Sequence, residues 1–386
     1  MTAKEELQAL RTQIDEVSAA IVRLFNERQR LSTEVARVKD AGNLAITDAN
    51  REEQVVAAAV AASEPENRAA AISLTRTLIA LSKLRQNEQL ALPTALDFPA
   101  PVEPTDGVVA FQGVAGAWSE QCAQTLYPEA EKLACAYFED VFEAVKSGKA
   151  AYGVLPIENS RTGAIGEVYD LLRRHSCFIV GELWLSVAQS LLAAPGARLT
   201  DIREVFSHPE GFSQCARFLK NRSWELTSVR NTAVAAQMVA EKAGGADGVK
   251  NAEGVKFAAI GSPRAAEVYG LEVLAPDVMD DRNNRTRFIV IAAAPQYNEQ
   301  STSVTVTFST QHRSGALCSV LEAFMLAGVN LTRIESRPVS AERYRFFADL
   351  AANITDPATR DAINIASMHC DYFEVLGCYS TSEETK

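Results

Sequence analysis

Residues 7–39 read LQALRTQIDEVSAAIVRLFNERQRLSTEVARVK, and this stretch determines how the first part of the chain folds. Its large apolar residues recur at spacings of three and four, as on one face of a long helix that packs against another helix. These residues are Leu7, Leu10, Ile14, Val17, Ile21, Leu24, Leu31, Val35 and Val38. The spacing predicts one long packed helix, and we call this row of side chains the apolar stripe.

Three cations lie on or beside the apolar stripe. In the heptad pattern Arg28 takes an a position, while Arg11 and Lys39 take e positions at the edge. Burying an unpaired guanidinium costs about 3–5 kcal/mol, so we expect an anion to meet Arg28. Arg28 and Lys39 are roughly 16 Å apart along the helix axis, within reach of a small dianion held between two long side chains.

Arg11 cannot reach that ligand from the same chain, because it lies about 42 Å from Lys39 along the helix. An antiparallel partner helix could instead deliver its own Arg11 to the Lys39 end. The pattern therefore predicts a dimer. The alternative interpretation is a coiled-coil oligomerisation segment, in which a charge at an a position only sets the register.

A second helix is predicted beyond Gly42, which ends the first. Thr47 or Asp48 can cap this helix, and its first turn carries Arg51 and Glu52. Polar residues therefore recur where the helices are expected to face inward.

A third helix is predicted after Pro65, and Ser82 and Gln86 lie one turn apart on its inner face. In order and spacing, eight polar residues of the three helices resemble those of the all-α chorismate mutases, over roughly residues 1–90. They are Arg11, Arg28, Lys39, Asp48, Arg51, Glu52, Ser82 and Gln86. The resemblance implies an active site shared by two intertwined subunits, with the first arginine supplied by the partner.

The resemblance implies the rearrangement of chorismate to prephenate in one pericyclic step. That step needs no nucleophile and no proton transfer, so a site only has to hold the reactive conformer and stabilise developing charge. By resemblance, Arg28 and the partner's Arg11 hold the two carboxylates of chorismate. Lys39 and Gln86 then face the ether oxygen, which gains negative charge.

Glu52, together with Asp48, engages the substrate hydroxyl by the same resemblance, and Arg51 and Ser82 are further substrate-binding candidates. A rival interpretation is a structural oligomeriser built on these helices. The inward cations oppose that interpretation, because pure packing does not need them.

The composition bounds the remaining classes of function. The chain has 386 residues, of which 47% are hydrophobic and 23% charged, enough to bury two or three cores. With no apparent targeting segment or membrane span, it is expected to be cytoplasmic. A formal charge of −11 argues against nucleic acid or an anionic membrane as partner. Seven cysteines without a CxxC pair favour reduced, buried thiols over disulfides or a zinc site, and we expect no metal and no cofactor.

A change of pattern follows a linker at residues 92–106, where four prolines fall in a short stretch. Beyond it, short β-rich runs alternate with helical runs, and one of the predicted helices covers residues 212–219. The predicted strands are 108–111, 152–157, 177–180, 204–206, 257–260 and 288–291. This alternation predicts an α/β domain of two lobes, with ligands bound where strands end.

Polar residues stand at three junctions of this domain. They are residues 156–160, which read PIENS; Ser207-His208-Pro209 with the nearby Gln214; and Thr286-Arg287-Phe288. Taken singly, such residues are most often helix caps or ordinary loop residues, and a lone histidine is more often structural than catalytic.

Together, the three junctions resemble the signatures of the prephenate dehydratases, over about residues 105–295. The resemblance implies a two-lobed fold of the periplasmic-binding-protein type with its site in the cleft. In the implied reaction prephenate loses its ring carboxylate and its ring hydroxyl, and an acid must meet the departing hydroxyl.

By resemblance, Thr286 is the leading candidate to hydrogen-bond or protonate that hydroxyl. Arg287 supplies positive charge, and a buried Glu158 is the alternative proton donor. The remaining signature residues implied to bind or shape the substrate site are Asn159, Ser160, Ser207, His208 and Gln214. A rival interpretation is an amino-acid-binding sensor, which would need neither Glu158 nor the junction at Thr286.

The last segment is predicted to be a βαββαβ unit of the ferredoxin-like type. Two of its motifs resemble those of phenylalanine-binding ACT domains. The first is Gly315-Ala316-Leu317 at a helix start. The second is Glu335-Ser336-Arg337-Pro338, which ends a strand predicted for residues 331–337 and which we expect to supply a polar turn. The glycine would let an amino acid approach the helix backbone. The alternative is a small dimerising domain without a ligand.

The whole chain thus resembles the bifunctional chorismate mutase/prephenate dehydratases of phenylalanine biosynthesis. The expected fold is multidomain. It comprises all-α mutase helices (1–91), a linker (92–106), an α/β two-lobed periplasmic-binding-protein-like dehydratase domain (107–296) and an α+β ferredoxin-like ACT domain (297–386). The expected ligands are chorismate, prephenate and, as an inhibitor, L-phenylalanine, and the expected assembly is a homodimer or a higher homo-oligomer.

Overall fold

The computed structural model describes residues 2–46, 48–90, 98–244, 256–312, 314–340 and 343–383. The chain divides into two compact units. The first comprises residues 1–98, 307–347 and 354–375, and the second comprises residues 99–306, 348–353 and 376–386. Thr47, one of two predicted caps, and residues 92–97 of the predicted linker lie outside the described residues.

Twelve α-helices are present in the described part of the chain. They are α1 (Ala3–Ala41), α2 (Ala49–Ala62), α3 (Arg68–Gln89), α4 (Trp118–Leu126), α5 (Phe138–Lys146), α6 (Gly166–Arg174), α7 (Pro209–Gln214), α8 (Ala216–Leu219), α9 (Thr232–Gly244), α10 (Pro263–Tyr269), α11 (Ala316–Leu326) and α12 (Pro357–Ser367). The helix predicted for residues 212–219 was wrong, because the chain breaks at Cys215 into α7 and α8.

The described residues also form sixteen strands. They are β1 (Val109–Gln112), β2 (Lys132–Cys135), β3 (Tyr152–Asn159), β4 (Gly163–Ala164), β5 (Phe178–Ser186), β6 (Ser190–Ala193), β7 (Ile202–Ser207), β8 (Glu225–Ser228), β9 (Lys256–Gly261), β10 (Glu272–Ala275), β11 (Arg285–Ala292), β12 (Ser303–Ser309), β13 (Asn330–Ser340), β14 (Arg343–Ala351), β15 (Tyr372–Tyr379) and β16 (Thr381–Glu383).

The first unit begins with the predicted long helix, which is confirmed as α1. Thr2 and Glu5 form a capping box at its start, which satisfies backbone N–H groups that the first turn leaves unpaired. Asp48 caps α2 by accepting a hydrogen bond from the backbone N–H of Arg51. Of the three N-terminal helices, α3 supplies most of the buried side chains, among them Ala80 and Leu84.

The apolar stripe is exposed in the single chain. Its members are 43–71% exposed, from Val35 at the low end to Leu24 at the high end. The predicted packed face is therefore present as a pattern, but this chain alone does not cover it. An exposed apolar face of this size is typical of a surface that another polypeptide buries.

The C-terminal elements follow the predicted order βαββαβ, which is confirmed, and the strands lie in the order β13-β14-β12-β15. This is the strand order of a ferredoxin-like sheet. The expected polar turn at Glu335–Pro338 was wrong. These residues lie inside β13, whose extended conformation continues to Ser340.

The second unit contains two sheets, as the α/β alternation predicts. In the first, the strand order is β15-β5-β11-β3-β1-β2, and β11 runs antiparallel to both β3 and β5. The second has the order β10-β6-β9-β7-β8. Each sheet has its own apolar core, built around residues such as Val154 and Phe288 in the first and Leu192 and Phe206 in the second. Two cores of this kind are typical of a two-lobed domain.

Within the described ranges, no helix combines the length and the apolar character needed to cross a membrane. All seven cysteines are free thiols. Cys318 is exposed and Cys370 is half-buried, so the expectation of buried thiols was wrong for these two, whereas the other five are buried.

Candidate functional site

Arg28 and Ser82 are brought together in the first unit, as the sequence predicted. The Arg28 guanidinium donates to the hydroxyl of Ser82 and, at 2.5 Å, to the backbone carbonyl of Leu78. The hydroxyl of Ser32 lies 2.9 Å from that of Ser82. α1 and α3 thus meet at a group of polar side chains. Ser32 belongs to this group because it lies one turn after Arg28 on the same face of α1, and it was not identified from the sequence.

Arg28 has neutral acceptors but, among the described residues, no carboxylate beside it. Burial lowers the pKa of its guanidinium, because the charged form loses hydration. A partly buried cation with only neutral partners favours an anionic ligand, because the anion would replace the hydration that the guanidinium lost on burial.

Gln86 lies one turn after Ser82 on α3, and Lys39 lies roughly 16 Å beyond Arg28 along the axis of α1. The ammonium of Lys39 donates to the backbone carbonyl of Ile46 at 2.5 Å. Gln86 is buried, and its Nε2 donates to the carbonyl of Ser82 at 3.2 Å. Its Oε1 is buried without a hydrogen-bond partner among the described residues. A buried polar atom left in this state is a candidate for contact with a ligand.

Glu52 is paired with Lys83, a residue that the sequence analysis missed. The Lys83 ammonium lies 3.2 Å from one carboxylate oxygen and 3.4 Å from the other. A cavity of about 600 Å³ adjoins the pair, and its walls include Val56, Ile79 and residues 368–371. Lys83 directly follows the candidate residue Ser82, and this was the one feature of the sequence that could have identified it.

Arg11, Asp48 and Arg51 are exposed and do not join the group around Arg28 in the single chain. Arg11 is 17 residues before Arg28 on one straight helix, so it lies roughly 25 Å away along the axis. The predicted separation of Arg11 from the rest of the site is therefore present in α1.

In the second unit, Thr286 and Asn159 face each other across β11 and β3. The two strands are antiparallel, and these two residues are direct register partners. Nδ2 of Asn159 lies 2.9 Å from Oγ1 of Thr286. Two signatures that are 127 residues apart in the sequence thus meet, as predicted.

The hydrogen bonds of Asn159 fix which atom faces Thr286. Its Oδ1 accepts from the backbone N–H groups of Arg161 and Thr162, at 3.0 and 3.3 Å. The amide nitrogen must therefore point toward Thr286 and donate to it. Since the hydroxyl of Thr286 accepts this bond, its own proton remains available for a substrate oxygen.

Asn284 extends this polar group and was missed as a site residue. It is fully buried, and its Oδ1 accepts from Asn159 at 2.9 Å and from the Ser160 hydroxyl at 3.4 Å. Its Nδ2 is buried without a hydrogen-bond partner in the described ranges. Asn284 stands two residues before Thr286 in a polar run, which the sequence analysis interpreted as a loop.

The second signature lies on the other sheet, and its members differ in role. Ser207 is fully buried and its hydroxyl donates to the carbonyl of Ile260 at 3.0 Å, so it braces β7 against β9. His208 is exposed, and its Nδ1 accepts from the N–H of Glu210 at 3.2 Å. In a neutral ring the proton therefore lies on Nε2, which can donate.

Gln214 is buried and accepts a hydrogen bond from Gln189 at 3.3 Å. Gln189 lies in the segment between β5 and β6, two residues after Val187, whose N–H donates to the carbonyl of Asn284. This segment therefore links the second signature to the polar group around Thr286. The sequence carried no signal for Gln189.

Glu158 and Arg287 lie on the opposite face of the sheet from Asn159 and Thr286. Successive side chains of a strand alternate between faces, and Glu158 and Arg287 are register partners whose charged groups lie 4.0 Å apart. The expectation that all four residues surround one substrate was wrong. The reason is that β11 begins at Arg285, so Thr286 and Arg287 belong to a strand and not to a loop.

Arg287 is held on that reverse face by buried residues. It donates through Nε to Glu182 at 2.7 Å, through Nη1 to Asp349 at 2.5 Å and through Nη2 to Tyr379 at 3.1 Å. Thr305 donates to Asp349 at 2.7 Å. We call these five residues the Arg287 cluster.

The Arg287 cluster shifts the ionisation of its members. Burial alone would lower the pKa of Arg287, but Asp349, Tyr379 and Glu182 outweigh it and raise that pKa. Burial raises the pKa of the Glu182 carboxyl more than Arg287 lowers it, and burial likewise raises the pKa of Tyr379. Since Arg287 is saturated by these partners, it is not available to a substrate beside Thr286.

The third set of candidate residues lies at the start of α11 and in β13. Gly315 caps α11 with φ of +78°, which favours glycine, and open space surrounds the position where a side chain would begin. Ala316 is buried and Leu317 half-buried. Along β13, Glu335 and Arg337 are half-buried whereas Ser336 and Pro338 are exposed, as the alternation of a strand requires.

Two families match the chain. The family described as "Chorismate mutase type II" matches residues 10–87, and the family described as "Prephenate dehydratase" matches residues 109–296. No group of three or more His, Cys, Asp or Glu side chains in the described ranges is arranged to hold a metal ion.

Known relatives cover the chain to different extents. A bifunctional chorismate mutase/prephenate dehydratase of Escherichia coli (strain K12) is 31% identical over 98% of this chain and 97% of its own length. An arogenate dehydratase/prephenate dehydratase of Arabidopsis thaliana is 36% identical over 70% of this chain and 71% of its own. The crystal structure of a prephenate dehydratase from Arthrobacter aurescens in complex with L-Phe has a TM-score of 0.63 and 27% identity, covering 71% of this chain and 89% of that one.

Proposed function

This chain belongs to the family of bifunctional chorismate mutase/prephenate dehydratases and has both activities, and we propose which of its residues carry each reaction and how they are regulated. The two reactions are the rearrangement of chorismate to prephenate and the dehydration of prephenate, both steps of aromatic amino acid biosynthesis. In phenylalanine synthesis, the second step yields phenylpyruvate.

For the mutase, the proposed site is the polar group around Arg28. Arg28 and the partner's Arg11 bind the two carboxylates of chorismate, while Lys39 and Gln86 stabilise the charge that develops on the ether oxygen. Glu52, held by Lys83, accepts a hydrogen bond from the substrate hydroxyl. Support comes from the partly buried guanidinium that has no carboxylate beside it in the described part of the chain, and from the unpartnered Oε1 of Gln86.

We propose that Arg11 enters this site from the second chain of a homodimer. The exposed apolar stripe supports the proposal, because a partner helix would bury it and would bring its own Arg11 along. Asp48 and Arg51, exposed in the single chain, would then lie near the incoming helix.

Mixing Arg11→Ala chains with Lys39→Ala chains should partly restore mutase activity. In a heterodimer one of the two sites regains both residues, so free exchange should give about a quarter of the wild-type rate. The measurement is chorismate consumption after subunit exchange, confirmed by a tagged chain. Lys39→Ala mixed with Arg28→Ala is the matched control and should restore nothing, because both residues come from the same chain. Equal rates in the two mixtures would remove the assignment in trans.

For the dehydratase, we propose that Thr286 donates a hydrogen bond to the departing ring hydroxyl. The bond from the ring to its carboxylate breaks and releases carbon dioxide, its electron pair completes the aromatic ring, and the hydroxyl leaves as water after gaining one proton. The observation that carries this proposal is the amide of Asn159, which donates to Thr286 and leaves the threonine proton free. Asn284, Ser160, His208 and Gln214 are the proposed substrate contacts.

We propose that L-phenylalanine inhibits the dehydratase by binding at the start of α11, which makes residues 297–386 an ACT-type regulatory domain. Support comes from the left-handed, open Gly315 and from the L-Phe bound in the related structure. A ligand at this point regulates only if it prefers one of two global states. Ala316, Leu317 and residues 335–338 are the further proposed contacts.

Gly315→Val should weaken L-phenylalanine binding without changing the mutase kcat, because a β-branched side chain both strains the left-handed backbone and fills the open space. Gly328→Val is a matched control, since Gly328 has φ of +71° and open surroundings at the other end of α11. Calorimetry on the full chain measures both. No heat of L-phenylalanine binding to the active wild-type protein at millimolar concentration, or equal losses in the two variants, would contradict the proposal.

A further inference from the structure

The Arg287 cluster is not used by the dehydratase mechanism above, yet it touches the strand that carries Thr286. Its members come from five strands: Arg287 from β11, Glu182 from β5, Thr305 from β12, Asp349 from β14 and Tyr379 from β15. All five residues are more than nine-tenths buried. Three of the five strands therefore come from the C-terminal elements of the chain.

Hydrogen bonds join the members of the Arg287 cluster to one another. Asp349 accepts from Arg287 with one carboxylate oxygen and from Thr305 with the other. The hydroxyl of Tyr379 lies 2.7 Å from that of Thr305 and 3.1 Å from Nη2 of Arg287. Glu182 accepts from both Nε and Nη2 of Arg287. The guanidinium is thus oriented by groups from β5 and from the C-terminal strands β14 and β15.

Two features leave this arrangement little freedom. Removing one partner of a buried ion pair leaves an uncompensated charge, so the charged members depend on one another. β15 also approaches β5 so closely that a Cβ at Gly377 would lie 2.1 Å from the carbonyl oxygen of Ile179. Only glycine permits this close approach of the two strands. The approach fixes the position of Tyr379, which follows Gly377 by two residues.

Thr286 and Arg287 are consecutive residues whose side chains point to opposite faces of β11. A rotation of the strand that displaces one displaces the other. We propose that Glu182, Asp349 and Tyr379 are positioning residues of the dehydratase, which fix the Thr286 hydroxyl by holding Arg287 from behind. The C-terminal strands then belong to the dehydratase machinery in addition to any regulatory role. This inference rests on the proposed function of Thr286.

Asp349→Asn tests the proposal, because asparagine keeps the shape and an acceptor for Thr305 but removes the charge that faces Arg287. We expect the dehydratase kcat to fall by about 10-fold or more with KM changed less than about threefold, since small displacements of a reacting group cost rate more than binding. The mutase activity of the same chain should stay at its wild-type value and reports correct folding. Asp361→Asn, at an exposed position of α12, is the matched control and should change neither activity.

A double-mutant cycle separates positioning from a general structural role. In a Thr286→Ala chain, Asp349→Asn should cause no further loss of kcat, because no hydroxyl remains to be misplaced. Equal losses in the two backgrounds would overturn the positioning proposal while leaving the role of Thr286 intact. An unchanged kcat in Thr286→Ala alone would overturn the role of Thr286 and the positioning proposal with it.

Tyr379→Phe keeps the proposal testable if Asp349→Asn does not fold. The change removes one hydroxyl from the Arg287 cluster and no charge. We expect the dehydratase kcat to fall by about 3- to 10-fold, with KM and the mutase rate unchanged. A wild-type kcat in a folded Tyr379→Phe chain would overturn the proposal.

Discussion

Thr286→Ala should lower the dehydratase kcat by about 10²-fold or more, which is the usual scale for one positioned proton or hydrogen-bond donor. The physical reason is that Asn159 donates to the oxygen of the Thr286 hydroxyl, which leaves the threonine proton free to be donated to the substrate. Without that donor, the ring hydroxyl must leave as a poorly stabilised hydroxide. The measurement is steady-state formation of phenylpyruvate from prephenate.

Two controls make this result specific. Thr286→Ser keeps the hydroxyl and should retain most of the activity, although serine lacks the methyl group that restricts its rotamers. The mutase activity of Thr286→Ala should equal that of the wild type, which reports that the chain is folded. If alanine is tolerated at this position, the proton comes from another residue of the proposed site, and His208→Gln becomes the variant to measure.

Lys39→Ala is expected to lower the mutase rate by about 10³-fold and to leave prephenate turnover nearly unchanged. The pericyclic step offers the protein few means of acceleration, so removing the cation that we propose faces the developing charge on the ether oxygen should remove a large share of the catalysis. Lys39 lies in the first compact unit and Thr286 in the second, which is why the two activities should separate.

Lys4→Ala is the matched control for Lys39→Ala, since both lysines lie on α1 and Lys4 is exposed. That variant should keep both activities. Comparable losses of mutase and dehydratase rates in Lys39→Ala would contradict the two-site interpretation. Comparable mutase losses in Lys39→Ala and Lys4→Ala would show only that the helix tolerates no loss of charge.

The sequence predicted those features that depend on local periodicity. The spacing of the apolar stripe predicted α1, and the alternation of β-rich and helical runs predicted the α/β character of the second unit, because side-chain patterns follow the helical and strand periods. The resemblance assigned Arg28 and Ser82 to one site, but it did not predict the hydrogen bond between them.

Other features could not be predicted, because they depend on where a strand begins. The resemblance to the prephenate dehydratases implied that Thr286 and Arg287 both serve one site. β11 begins at Arg285, which puts their side chains on opposite faces. The partners of Arg287 are 105 and 62 residues away at Glu182 and Asp349, and no local pattern identifies pairs at that separation.

The exposed apolar stripe of α1 has a consequence for how the protein behaves on dilution. A helix of 39 residues whose large apolar side chains face water gains much of its stability from whatever covers it. If a second chain provides that cover, the free energy of unfolding of the mutase helices includes a term in protein concentration, as mass action requires. The stability of the mutase helices would then depend on protein concentration. The two-sheet unit has its own buried cores, so its stability would not change on dilution.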